Sequence, residues 1–152
     1  MSRRALVGLL AVTATASYLC RVNVSVAGAL MRKELALDPV VLGRVFSAFL
    51  LGYALCQVPA GMLADRFGAR RVLFFAALSW VAATALVAIV PAAAAIPFLL
   101  GARLLLGVGE APTFPAAAQA ISRSVPAPSR GRPHGIVLAA IGLRSAIAPP
   151  LV

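Results

Sequence analysis

Charged residues are scarce in this 152-residue chain: they make up 12% of the total, about half the share usual in soluble domains. The chain has only two cysteines, too few for a scaffold held by disulfides. The hydrophobic share of 62% excludes a disordered chain, because such chains lack apolar residues. Little charge and much apolar surface together predict an integral membrane protein.

Residues that carry enzyme chemistry are equally sparse. One histidine, and two cysteines 36 positions apart, provide no metal-ligand spacing. No plausible set of serine, histidine and acid exists for nucleophilic catalysis. The run Gly107-Val108-Gly109-Glu110 is not a dinucleotide loop, because no third glycine follows and no strand precedes it. We therefore expect no enzyme activity, no metal and no cofactor.

The basic residues dominate what charge there is, with 14 Lys and Arg against 4 Asp and Glu. They stand in short clusters between long apolar runs and do not alternate with exposed aromatic residues along one face. A nucleic-acid surface needs basic residues that alternate with exposed aromatic residues, so we expect no nucleic-acid partner. The clustered pattern is typical of membrane topology control, in which Lys and Arg stay on the cytoplasmic side.

Long apolar stretches predict an all-α membrane bundle. A helix needs about 20 apolar residues to cross the hydrocarbon core. The uncharged stretch 72–102 is too long for one span, and Pro91 and Pro97 divide it. We predict five helices, at about 5–30, 45–64, 72–90, 97–122 and 135–152.

The positions of the basic residues predict the orientation of the bundle. If the helices alternate in direction, eight arginines fall on one side and three basic residues on the other, which places the N-terminus in the cytoplasm of a bacterial inner membrane. The segment Ala14-Thr15-Ala16 imitates a signal-peptide cleavage site, but the apolar run continues past it. The eight arginines are Arg3, Arg4, Arg66, Arg70, Arg71, Arg123, Arg130 and Arg132.

Four charged residues remain inside the predicted spans: Arg21, Arg103, Glu110 and Arg144. A charge at mid-helix costs about 2.5–3.5 kcal/mol on insertion scales, so the default interpretation is a functional site facing a cavity. The alternative is that Arg103 and Glu110 pair with neighbouring helices and only hold the bundle together. Arg144 has a further alternative, since its long side chain can reach the membrane surface.

The depths of these groups favour a site. Arg21 lies about 24 Å along an outward-running helix, and Arg103 about 9 Å below the outer end of an inward-running one, so both reach the outer half at similar heights. Two converging guanidinium groups suit a carboxylate or phosphate. Glu110 lies two turns beyond Arg103, and burial lets a carboxyl exchange a proton near neutral pH. Gly107 is expected to leave room on the same face.

Polar residues on the first two helices fit the wall of such a cavity. Tyr18 stands on one helical stripe with Arg21, and Tyr53 and Gln57 are one turn apart on the second helix. Tyr and Gln can hydrogen-bond a polar ligand, although simple contacts between helices are an alternative. Pro112 and Pro115 each free a backbone carbonyl, which is tolerated only beside protein or a wet cavity.

The segment after the second helix reads Gly61-Met62-Leu63-Ala64-Asp65-Arg66-Phe67-Gly68-Ala69-Arg70-Arg71. Glycines permit a sharp turn, and an aspartate among cations can hold one conformation through charge-assisted hydrogen bonds. In spacing and position the segment resembles the signature loop between the second and third helices of the major facilitator superfamily. The resemblance implies that the loop acts as a cytoplasmic gate; its residues are Gly61, Asp65, Arg66, Gly68, Arg70 and Arg71.

Four other segments, 21–27, 46–53, 103–112 and 148–151, resemble the anion:cation symporters of that superfamily, which carry organic anions and sugar acids. The resemblance implies that Arg21 and Arg103 bind an anionic substrate and that Glu110 carries the coupling proton. Many sugar-acid carriers have an aspartate where this chain has Cys20, so a second proton site is not expected.

The family has two six-helix halves with a site between them, whereas this chain supplies four helices and most of a fifth. We expect a fragment, inactive alone, whose site is completed by a missing C-terminal half or by a partner chain. The predicted function is proton-coupled symport of a small organic anion. A non-transporting membrane subunit or assembly factor is the alternative, and a dimeric four-helix exporter is a weaker one.

Overall fold

A computed structural model describes residues 5–17, 38–91 and 94–147, with side chains up to residue 140. Within these ranges every regular element is helical and no strand occurs, which confirms the predicted all-α class. A 3₁₀ turn, Ala127–Ser129, joins the last two helices. The helices are α1 (Ala5–Ser17), α2 (Pro39–Phe67), α3 (Ala69–Ala88), α4 (Ala95–Glu110), α5 (Thr113–Ser124) and α6 (Gly131–Ile147).

Three of the described stretches are long and apolar enough to cross a membrane: Pro39–Phe67, Ala69–Ala88 and Ala95–Ser124, the last being α4 and α5 together. Their outward faces carry large exposed apolar side chains, such as Leu55 and Val58 on α2. A soluble surface would not repeat such residues along whole helices. The chain is therefore an integral membrane protein.

Helix α2 is longer than the predicted span 45–64. Its 29 residues extend about 44 Å, against a hydrocarbon core of about 30 Å. It begins at Pro39 because the Asp38 carboxylate caps its first turn, with Oδ1 accepting from the Val40 backbone nitrogen at 2.6 Å. The predicted span left out Arg44 and Arg66, but both lie within the helix.

The predicted fourth helix, 97–122, is divided in two. Helix α4 ends at Glu110, and α5 begins at Thr113. Pro112 has no backbone N–H, so the Val108 carbonyl loses its usual partner and the helix is interrupted there. Ala116 resumes the pattern by donating to the Pro112 carbonyl at 2.9 Å.

Helix α4 packs between α2 and α3, and this packing forms the centre of the described bundle. One buried cluster joins Phe49 of α2 and Trp80 of α3 to Leu106 of α4. A second cluster packs Leu10 and Ala14 of α1 against α5 and α6. The sequence that imitates a cleavage site is thus helical and buried at Ala14.

Helices α2 and α3 meet at a single residue, Gly68, which ends the first and begins the second. Gly68 has φ 85° and ψ 146°, a conformation that side chains disfavour. Its nitrogen donates to the Ala64 carbonyl at 2.9 Å, and its carbonyl accepts from Val72 at 3.3 Å. Gly61, which was expected to share in the turn, instead lies inside α2.

We predict that Gly68→Ala destabilises the bundle by about 1–3 kcal/mol, because alanine is strained at this φ. The matched control is Gly61→Ala: a Cβ there would lie 3.5 Å from the Pro115 Cβ, an ordinary contact. Thermal denaturation of the purified chain in detergent measures the stability of both variants. Equal stability of the two variants would contradict the role given to Gly68.

Candidate functional site

Arg103 lies inside the bundle, on the face of α4 that packs against α2. Its side chain is 2% exposed. The guanidinium carbon lies 5.6 Å from the centroid of the Phe46 ring and 6.0 Å from that of Phe49. Aromatic faces attract a cation most strongly where water is excluded, so these two rings help to hold the charge at this depth.

Glu110 is the last residue of α4, two turns beyond Arg103, and is also 2% exposed. The helix break at Pro112 follows directly. The sequence predicted both buried positions from helix depth, and the structure places them on one helix in the interior.

Tyr53 and Gln57 extend this site along α2. The Gln57 Nε2 donates to the Tyr53 hydroxyl at 3.3 Å. The Tyr53 ring stacks on Phe49 with centroids 5.9 Å apart, and Phe49 in turn contacts Arg103. An aromatic row therefore connects the predicted substrate-binding residues of the second and fourth helices.

Two predicted substrate-binding residues and one interior arginine have no described side chain. Tyr18 and Arg21 lie outside the described residues, so the convergence of two arginines stays a prediction. Arg144 falls within helix α6, but its side chain is not among those described.

Gly107 does not leave open room beside Arg103, contrary to the prediction. Helix α2 fills that space: a Cβ on Gly107 would collide with the Phe49 carbonyl and lie 2.9 Å from the Tyr53 nitrogen. On the other side of the contact, a Cβ on Gly52 would lie 3.2 Å from the Val108 nitrogen. The two glycines let the backbones of α2 and α4 touch, as small residues do between membrane helices.

Trp80, to which no role was assigned from the sequence, joins α3 to the end of α4. Its Nε1 donates to the Gly109 carbonyl at 2.8 Å. Gly109 permits the approach, since a Cβ there would lie 2.9 Å from the Ser79 Cβ. A buried indole needs an acceptor, but the sequence gives no sign of which one.

The C-terminal end of α2, next to the turn at Gly68, is bound to α5 by Gln119, a residue that was not predicted from the sequence. The Gln119 Nε2 donates to the Ala64 carbonyl and, at 3.1 Å, to the Asp65 Oδ1. Arg123 adds a bond from Nη2 to the Asp65 carbonyl at 3.3 Å. The one available signal was a polar residue in a predicted span.

These bonds place two arginine-rich connections at the same end of the bundle. Arg66, Arg70 and Arg71 are exposed around Gly68, and Arg130 lies between α5 and α6, just before Gly131. The Arg130 Nη2 donates to the Ser122 carbonyl at 2.7 Å, which caps α5. Four of the arginines that were predicted to share one side of the membrane therefore lie at one end of the bundle, and the orientation of that end stays a prediction.

Similarity to known proteins agrees with the helical membrane architecture. Residues 10–152 match the Major Facilitator Superfamily. The chain is 38% identical over 151 residues to the probable sulfoacetate transporter of Cupriavidus necator, which covers 99% of this chain and 34% of the relative. It is 36% identical over 150 residues to the probable galactarate/D-glucarate transporter of Escherichia coli K12, covering 97% of this chain and 33% of the relative.

A plant protein, the probable anion transporter 6, chloroplastic, of Arabidopsis thaliana, is 36% identical over 151 residues, with 95% of this chain and 29% of the relative covered. The chain belongs to the major facilitator superfamily and corresponds to the N-terminal part of its members. It spans about a third of the length of these relatives. Membership of this family confirms the prediction that the chain is not an enzyme.

We predict that Gly107→Ala loosens the contact between α2 and α4, because the added methyl group meets backbone atoms that cannot rotate away. Gly101→Ala, on the same helix, is the matched control, since no atom lies within 4 Å of a Cβ there. Alanine in an open helical position stabilises by up to about 1 kcal/mol. The midpoint temperature of thermal denaturation should therefore fall for Gly107→Ala and rise for Gly101→Ala. A shift in the same direction for both variants would contradict the close contact.

Proposed function

We propose that this chain forms one wall of a carrier for proton-coupled symport of a small organic anion. The observation that carries the proposal is the burial of Arg103 and Glu110 on a single membrane helix, seven residues apart. A helix that only anchors a protein in lipid gains nothing from two buried charges.

The proposed role of Arg103 is to bind the anionic group of the substrate. Its guanidinium offers a planar set of donors that matches a carboxylate or sulfonate in bidentate fashion. Phe46 and Phe49 hold its plane in position, so little side-chain freedom is lost when substrate binds. Tyr53 and Gln57, whose side chains are hydrogen-bonded to each other, supply neutral polar contacts farther along the wall.

The proposed role of Glu110 is to carry the coupled proton. A buried carboxylate and a bound anion repel each other, so protonation of Glu110 and binding of the anion favour one another. This mutual preference is the thermodynamic requirement for coupling, because each ligand raises the affinity for the other.

The substrate class is supported by the relatives, which are named for sulfoacetate, for galactarate and D-glucarate, and for anions. In the family architecture the site lies between two halves near the middle of the membrane. We infer that Arg21 and Tyr18 complete this wall, and that a second half of the carrier supplies the opposite one. The chain alone is therefore expected not to transport.

The loop around Gly68 is proposed as the cytoplasmic gate, with the N-terminus also in the cytoplasm of a bacterial inner membrane. Its support is the grouping of arginines at one end of the bundle and the bonds from Gln119 and Arg123 that fix Asp65. A fixed loop can present its charges to an opposing half in a defined position.

We expect Arg103→Gln to lower uptake of the anion at least 100-fold in a full-length carrier that contains this segment, since a bidentate charged contact is lost. Uptake of radiolabelled substrate by cells with matched surface expression measures this. Arg44→Gln, which removes an exposed arginine of α2, should leave uptake close to normal. Normal uptake by the Arg103 variant would refute its role.

We expect Glu110→Gln to abolish accumulation driven by a pH gradient while exchange of internal for external anion continues. The amide keeps the shape of a protonated carboxyl but cannot release a proton. Proteoliposomes with and without an imposed gradient separate the two activities. Accumulation that still follows the gradient would exclude Glu110 as the coupling site.

A further inference from the structure

A groove of about 460 Å³ lies among α2, α3 and α4, at the end of the bundle where the arginines gather. We call it the α3 groove; it does not include Arg103 or Glu110. Its lining is almost entirely apolar, and several lining side chains are also exposed on the outer surface, Phe75 by 66%. The groove therefore opens sideways, where the chain meets lipid. Its principal lining residues are Leu63, Phe67, Arg71, Phe75, Val108 and Gly109.

The end of the groove nearest Gly68 is positively charged. Arg71 lines it directly. Arg66 lies beside it, with its guanidinium carbon 5.5 Å from the centroid of the Phe67 ring, which is itself part of the wall. An apolar groove that ends at two guanidinium groups near the membrane surface matches a lipid that has an apolar acyl chain and an anionic headgroup.

We propose that the α3 groove binds an anionic phospholipid, with an acyl chain between α3 and α4 and the phosphate at Arg71. The inference does not depend on the proposed transport function. Charge complementarity at Arg71 distinguishes this occupant from a zwitterionic lipid, whose headgroup carries no net charge. Basic pockets between membrane helices recognise anionic headgroups in this way.

The chain contains its own reporter for this site. Trp80 is the only tryptophan of the sequence, and its indole bonds to the Gly109 carbonyl. Gly109 and Ser79, the neighbour of Trp80, both line the groove. Bromine atoms quench tryptophan fluorescence at short range, so a brominated acyl chain in the groove should quench Trp80.

The test reconstitutes the 152-residue chain into phosphatidylcholine nanodiscs that contain increasing fractions of brominated phosphatidylglycerol or brominated phosphatidylcholine. We expect half-maximal quenching at about a fivefold lower fraction of phosphatidylglycerol, the effect of about one basic residue at an anionic surface. Arg71→Gln should remove this preference. Arg70→Gln, which removes the neighbouring arginine outside the lining, should retain it. Val108→Phe should reduce quenching by both lipids, because the ring occupies the groove.

Three results would overturn the proposal. The first is equal quenching by the two lipids in the unmodified chain. The second is an equal loss of preference in the Arg70 and Arg71 variants, which would indicate diffuse surface charge. The third is quenching by both lipids that falls as more protein is placed in each disc, which would indicate that a second copy of the chain covers the groove.

Discussion

Close contact between the backbones of α2 and α4 is the constraint on which the candidate site depends. Lipid tails are as apolar as leucine, so membrane helices associate through close packing and not through burial from water. Gly52 and Gly107 make that packing possible. Arg103 lies one turn before Gly107 on α4, so this contact holds it against the aromatic row of α2. Glu110 lies about one turn after Gly107 on the same helix, next to the hydrogen bond from Trp80 to the Gly109 carbonyl.

Features encoded in neighbouring residues were predictable from the sequence. The all-α class followed from the lengths of the apolar runs, and the interior charges followed from their distance along those runs. The loop after α2 was identified by its spacing, and the structure adds that, among the glycines it describes, only Gly68 takes a positive φ. The limits of the helices were less accurate, because helix ends depend on caps such as Asp38 and on backbone interruptions such as Pro112, whereas the prediction followed the lengths of the apolar runs.

Contacts between distant residues could not be predicted in the same way. Trp80 and Gln119 donate to acceptors that lie 29 and 55 positions away along the chain. Choosing those partners requires the arrangement of the helices in space. The same reason explains the error at Gly107: a small residue beside a buried arginine indicates either a cavity or a close helix contact, and only the position of α2 decides between them.

The bonds from Gln119 and Arg123 have a mechanical consequence. They join the last turn of α2 to α5 at both the main chain and the side chain of Asp65, so the helix end that precedes the arginine-rich turn is fixed to α5. If α5 tilts in the membrane, these bonds carry the end of α2 and the neighbouring arginines with it. Motion at the membrane surface is then set by helices buried in lipid, not by the flexibility of a connecting segment.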